Sequence, residues 1–194
     1  MGCHMSDYRR CFQPGGTYFF TVVTYNRRPI LTTDLGRKCL RQSIETVREK
    51  RPFDLVATVL LPDHWHLIMA LPRGDEKFSV RMKRIKEEFT TQWLGVGGRE
   101  AEVSDSQCRR GERGIWQPRF WEHLVRDEDD LNSVIDYIHW NPRKHELVTR
   151  IRDWPWSSFH RLVEAEPTTS TGEEPHPARS NQKSAGVGAN SSRP

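Results

Sequence analysis

The chain has 194 residues and a mass of 22.7 kDa, with 35% hydrophobic and 29% charged residues, a formal net charge of +4 and an isoelectric point near 9.0. It contains no apolar run long enough to span a membrane, and its first residues lack the apolar core of an ordinary signal peptide, so a cytoplasmic protein is expected. Cys3, Cys11, Cys39 and Cys108 are widely spaced and form no CxxC pair, which excludes a zinc ribbon and argues against a disulfide framework.

Residues 1–16 read as an N-terminal arm, followed by one domain over 17–163. Thr17 to Tyr25 (TYFFTVVTY) is aromatic and β-branched and reads as a strand. Thr33 or Asp34 can cap a helix to about Arg51, with Leu40, Ile44 and Val47 on its apolar stripe. Phe53 to Leu61 is a second strand, Pro62-Asp63 a turn, and His64 to Leu71 a third strand. Phe78 to Leu94 is a helix whose apolar face holds Phe78, Met82, Ile85, Phe89 and Trp93. Gly95 to Gly114 is Gly-rich and charged, and is expected to be a mobile loop. Arg119 to Val125 is a short fourth strand, Asp127 to Asn141 a helix that Pro142 ends, and Trp156 to Val163 a last short helix. Residues 164–194 hold Val187 as their one large apolar residue among Pro, Ser, Thr and Gly, and read as a disordered tail. That tail carries four glutamates against three basic residues, so the domain before it is the more basic part.

This order predicts an α+β, ferredoxin-like β-α-β-β-α-β antiparallel sheet, with an additional C-terminal helix. The fold hosts many activities, so function must be read from side chains.

His64 and His66 flank Trp65 on the third strand. Residues i and i+2 of a strand share a face, so the two imidazoles can share a metal; a pair of surface histidines is the plain alternative. Tyr137 lies about 110° from the centre of the stripe formed by Leu131, Val134, Ile135 and Ile138. Asn141 is one turn later on the same edge. Tyr137 is therefore either a half-exposed packing tyrosine or a nucleophile. A phenol is a weak nucleophile at neutral pH and needs help against an anionic phosphodiester. A divalent cation on His64 and His66, with neutral Asn141 as third ligand, would supply that help. Two imidazoles suit Mn²⁺ or Zn²⁺ better than Mg²⁺, although availability favours Mg²⁺. Arg81, Lys83 and Arg84 make the second helix basic, and Arg119, Arg143 and Lys144 add further cations that could meet phosphates; a solvated charged face is the plain reading of each.

Four segments carry a specific resemblance: LPDHWHLIMALP at 61–72, IWQPRFWEH at 115–123, DYIHWNPRKHELV at 136–148 and DWPWSSFHR at 153–161. With them, most of residues 6–163 resembles the REP-associated tyrosine transposases, a branch of the single-tyrosine, IS200-like transposases within the HUH (His-hydrophobic-His) endonucleases. The resemblance implies a ferredoxin-like fold with the tyrosine on the added helix. It implies Tyr137 as nucleophile, His64 and His66 as ligands of Mg²⁺ or Mn²⁺, and Asn141 as a third polar ligand. Arg143-Lys144 departs from the small apolar and basic pair that usually follows the family's Asn-Pro, but keeps the tyrosine in register. The 95–114 loop is longer than the family needs.

The implied activity is metal-dependent cleavage and rejoining of single-stranded DNA at hairpin-forming repeats, through a 5′-phosphotyrosine intermediate. The implied partners are such DNA hairpins; the implied setting is a nucleoid-associated monomer or weak homodimer. Two readings compete. A non-catalytic, RRM-like single-stranded nucleic-acid-binding module shares the element order, but would expose aromatic residues on its two central strands. A metal-dependent hydrolase using water would need more carboxylates than Asp63 near the histidines.

Overall fold

The computed structural model describes residues 12–165. The expected arm and tail lie largely outside these residues, and no described helix is long and apolar enough to cross a membrane. The strands are β1 (Thr17–Val23), β2 (Asp54–Leu60), β3 (His64–Ala70) and β4 (Trp121–Leu124). They form one sheet in the order β2-β3-β1-β4, and each neighbouring pair is antiparallel. The helices are α1 (Asp34–Lys50), α2 (Phe78–Gly95), α3 (Asp105–Arg109), α4 (Glu128–Lys144) and α5 (Phe159–Ala165).

Strand alternation divides the core into two layers. Tyr18, Phe20 and Val22 of β1 and Trp65, Leu67 and Met69 of β3 point to one face. There they meet Leu40 and Val47 of α1 and Met82, Ile85 and Phe89 of α2. The intervening residues Phe19 and Ile68 point to the other face, where Ile138 of α4 and Trp154 cover them. Burial on both faces explains why β3 is apolar almost throughout. Thr33 caps α1 by accepting from the Gly36 N–H, and Asp127 caps α4 by accepting from the Asp130 N–H.

Two expectations are corrected. Pro142 does not end α4, which runs on to Lys144. Proline lacks a backbone N–H and its ring crowds the carbonyl one turn back, but the next turn continues, with the His145 N–H on the Asn141 carbonyl at 3.0 Å and the Leu147 N–H on that of Pro142 at 2.9 Å. The 95–114 segment is not a plain loop. It holds α3, started by a Ser104–Gln107 capping box. Its ends are closed by the Ala101–Gly114 bridge and a two-bond Arg113–Glu100 ion pair. A Cβ on Gly114 would sit 1.9 Å from the Ala101 carbonyl oxygen, so that closure requires glycine.

Candidate active site

The histidines come from β3 and the tyrosine from α4, which meet on the face of the sheet opposite α1 and α2. His64 and His66 are both buried, with ring centroids 4.8 Å apart and planes at 87°. Each has its Nδ1 engaged. The Asp63 carboxylate takes the His64 Nδ1–H at 2.6 Å, and Thr21 Oγ1 lies 2.9 Å from His66 Nδ1. Partners at Nδ1 leave Nε2 as the outward nitrogen, the usual arrangement of a metal-binding imidazole.

Asp63 is itself held. Arg27 donates to its second oxygen at 2.9 Å. Asn26 and Arg27 both adopt left-handed backbone, with φ of 52° and 51°, a region disfavoured for residues with a Cβ. That turn brings the guanidinium to Asp63. Burial alone would raise the Asp63 pKa, but hydrogen bonds from His64 and Arg27 outweigh it and hold the carboxyl below its ordinary range.

Burial also lowers the pKa of both histidines. For His64 it overcomes the opposing pull of Asp63. For His66 burial is the main cause and electrostatic interaction with His64, His145 and Lys144 adds to it, bringing the value to about 3. Asn141 is close enough to His66 to pull the other way. It nevertheless falls short of hydrogen-bond geometry, because His66 Nε2 and Asn141 Oδ1 are both buried without a hydrogen-bond partner among the described residues. Asn141 Nδ2 donates to the Tyr137 carbonyl at 2.7 Å, which fixes the amide with its oxygen free.

Tyr137 is half-buried. Its ring stands edge-on to His66, with centroids 5.5 Å apart, and to Phe19 at 5.8 Å. Lys144 Nζ lies 5.0 Å from the centroid of the same ring. Thus His64, His66, Tyr137, Asn141 and Lys144 come together. His145 also joins them, its ring 5.1 Å from that of His64.

The other basic residues lie elsewhere. Arg143 is exposed and stacks over Trp140 at 4.6 Å. Arg119 is exposed just before β4. Lys83 and Arg84 are exposed on α2, across the sheet from Tyr137, and both pair with Glu87. Arg81 corrects the expectation of a DNA contact. It is 2% exposed, and its guanidinium donates to the Pro52 carbonyl and the Asp75 carboxylate, each at 2.8 Å, with longer bonds to the carbonyls of Arg51 and Lys77. It clamps α2 to the segment before β2, and its burial keeps the guanidinium from a phosphate. Lys86 is similarly tied, donating to the Gln117 carbonyl at 2.6 Å, and burial lowers its pKa to about 8.

Thr21 was not singled out from the sequence. Its signal was a hydroxyl in the middle of a mostly apolar strand, but only the β1–β3 register, which sets Thr21 opposite His66, gives it a partner.

Known proteins resemble this chain over most of its length. The family model described as "Transposase IS200 like" matches residues 14–141. The REP-associated tyrosine transposase of Escherichia coli is 45% identical over 160 residues, covering 82% of this chain and 86% of its own. A Haemophilus influenzae relative bearing the same family name is 46% identical over 162 residues, covering 84% of this chain and 90% of its own. A solved structure of a REP-associated tyrosine transposase bound to a REP hairpin is 40% identical and superposes with a TM-score of 0.68, covering 89% of this chain and 94% of that one. The chain belongs to the IS200-like transposases and, within them, to the REP-associated tyrosine transposases.

Proposed function

We propose that the protein cleaves and rejoins single-stranded DNA at hairpin-forming REP-type repeats, with Tyr137 as nucleophile. The element order and the sheet order 2-3-1-4 support a ferredoxin-like reading, in which α4 is the added helix that carries the tyrosine. The observation that carries the functional reading is the pairing of Tyr137 with two orphaned atoms. Among the described residues, His66 Nε2 and Asn141 Oδ1 are buried without a hydrogen-bond partner beside Tyr137. Burying polar atoms without partners is costly, and a neutral imidazole nitrogen beside an amide oxygen is a donor set that fits a cation.

His64, His66 and Asn141 would hold Mn²⁺ or Mg²⁺. When bound, the ion supplies Lewis-acid polarisation of the scissile phosphate. The lowered pKa of His64 and His66 keeps both imidazoles neutral at pH 7, as ligands must be. Tyr137 Oη forms a bond to phosphorus as the bond to the 3′-oxygen breaks. The phenol proton leaves to solvent, and a proton from solvent completes the released 3′-hydroxyl. The 5′-phosphate stays on Tyr137, and a 3′-hydroxyl can attack it to restore a phosphodiester. The number of phosphoester bonds is unchanged, so no nucleotide cofactor is consumed. Lys144, beside the tyrosine ring, is placed to meet the DNA phosphate. All these residues come from one chain, so a monomer carries a complete site.

The binding-module reading gains no support from the central strands. Tyr18, Phe19 and Phe20 of β1 and Trp65 of β3 are all buried.

The test is a labelled hairpin oligonucleotide from the host chromosome, incubated with Mn²⁺ or Mg²⁺ and resolved in SDS. An SDS-resistant adduct is expected, with mass spectrometry placing the nucleotide on Tyr137. EDTA or His64→Ala should abolish it. Hydrolysis without an adduct would overturn the tyrosine mechanism in favour of a water-using nuclease.

A further inference from the structure

The face that carries His66 and Tyr137 continues to the edge of the sheet at β4. Thr21 pairs with Trp121 and Phe19 with His123, so both β4 rings project on the His66 side. Trp121 is 51% exposed, although tryptophan is usually well covered. Its ring is nonetheless braced on two sides. Phe19 meets it edge-on at 5.5 Å, and the His123 ring lies nearly parallel to it, 7° from coplanar with centroids 6.1 Å apart. Asp130 holds His123 in turn, its oxygens 2.9 and 3.1 Å from Nε2. The same Phe19 ring touches Tyr137 and His66. A fixed, exposed indole therefore stands two ring contacts from the nucleophile, and exposed Arg119 and Arg126 flank its strand.

We propose that Trp121 is a stacking platform for one unpaired base beside the phosphate that Tyr137 attacks. The proposal rests on the strand-transfer reading above. A base in a duplex has both faces covered, so only an unpaired base can lie on the indole, and flanking cations suit a phosphodiester backbone. Bracing by Phe19 and His123 means the ring loses little freedom when a base stacks on it. Stacking discriminates weakly between bases, so Trp121 recognises single-strandedness and position more than sequence.

The experiment uses the full chain with Tyr137→Phe, so that binding is measured without cleavage. Two oligonucleotides are compared: a REP-type hairpin with a single-stranded flank, and the same hairpin without it. 2-Aminopurine is placed at each flank position in turn. Adding Trp121→Ala should weaken binding of the flanked hairpin about 10-fold or more and leave the unflanked hairpin unchanged, while Trp121→Phe restores most of the loss. One 2-aminopurine position should be quenched on binding and stay bright with Trp121→Ala. Equal weakening of both hairpins, or no weakening of the flanked one, overturns the platform. Binding of the unflanked hairpin reports that the variant is folded. An adduct formed by the unsubstituted protein alongside a silent Trp121→Ala sinks the platform and leaves the strand-transfer reading standing. A flank-specific Trp121 effect without any adduct does the reverse. No binding of either hairpin overturns both.

Discussion

The Tyr137 ring meets the His66 ring edge-on, at 72° and 5.5 Å between centroids. Residues far apart in the chain are joined because α4 covers the sheet face that α1 and α2 leave open. In the proposed mechanism the hydroxyl of Tyr137 does the chemistry, while its ring supplies the packing. Tyr137→Phe should keep the contacts to Phe19 and His66 while lowering strand cleavage by roughly a thousandfold or more. Hairpin affinity, measured by fluorescence anisotropy, should stay at the unsubstituted value. Cleavage persisting in Tyr137→Phe would place the nucleophile elsewhere.

In the proposed metal site, Asp63 acts through His64. Its carboxylate fixes the ring's tautomer and is fixed by Arg27. Removing such a support typically lowers metal affinity about 10- to 100-fold. Asp63→Asn should therefore raise the Mn²⁺ concentration needed for half-maximal adduct formation by that factor, with most activity returning at saturating metal. An unchanged Mn²⁺ dependence would reduce Asp63 to a turn residue.

Arg81 and Lys144 should separate cleanly. Arg81→Met removes the donor to the Pro52 and Arg51 carbonyls and the ion pair to Asp75, whose other oxygen keeps the Lys77 N–H. Arg81 is buried, but Arg51 and Pro52 are exposed and Asp75 is partly so, and a loss of about 1–3 kcal/mol in urea unfolding is expected. Lys144→Ala should leave the unfolding midpoint alone and reduce the slope of log affinity against log salt by about 1. A reduced salt slope in folded Arg81→Met protein would return Arg81 to the DNA interface.

The two-faced logic of the sheet was legible in the chain, because Trp65 between His64 and His66 must point away from both. The off-stripe position of Tyr137 was legible too, and it is what turns the ring toward Phe19 instead of into the apolar stripe. Arg81 was misread because charge outweighed position: it sits three residues after Phe78 and four before Ile85, on the apolar stripe of α2. The capping-box pair Ser104 and Gln107 marked α3 inside a segment whose glycines and charges suggested only a loop. Thr21, Arg27 and His145 could not be assigned, because their partners are set by strand register, a left-handed turn and the continuation of α4 past Pro142. None of these is a local pattern.

Acid should weaken the fold through His139. Its ring is buried against Phe159, with Nε2 3.1 Å from Ser158 Oγ, and burial lowers its pKa to about 4 from an ordinary value of 6.5. The unfolded chain therefore binds the proton more readily than the folded one between those values, so stability rises with pH across that window and falls on acidification. Going from pH 7 to pH 5 should cost about 2 kcal/mol from this group alone. His66 shifts in the same direction and adds to the loss. Urea unfolding at the two pH values tests this, with His139→Gln retaining a polar partner for Ser158. The variant should lose about 2 kcal/mol less than the unsubstituted protein over that step. Equal losses in both would show that His139 already carries its proton in the fold.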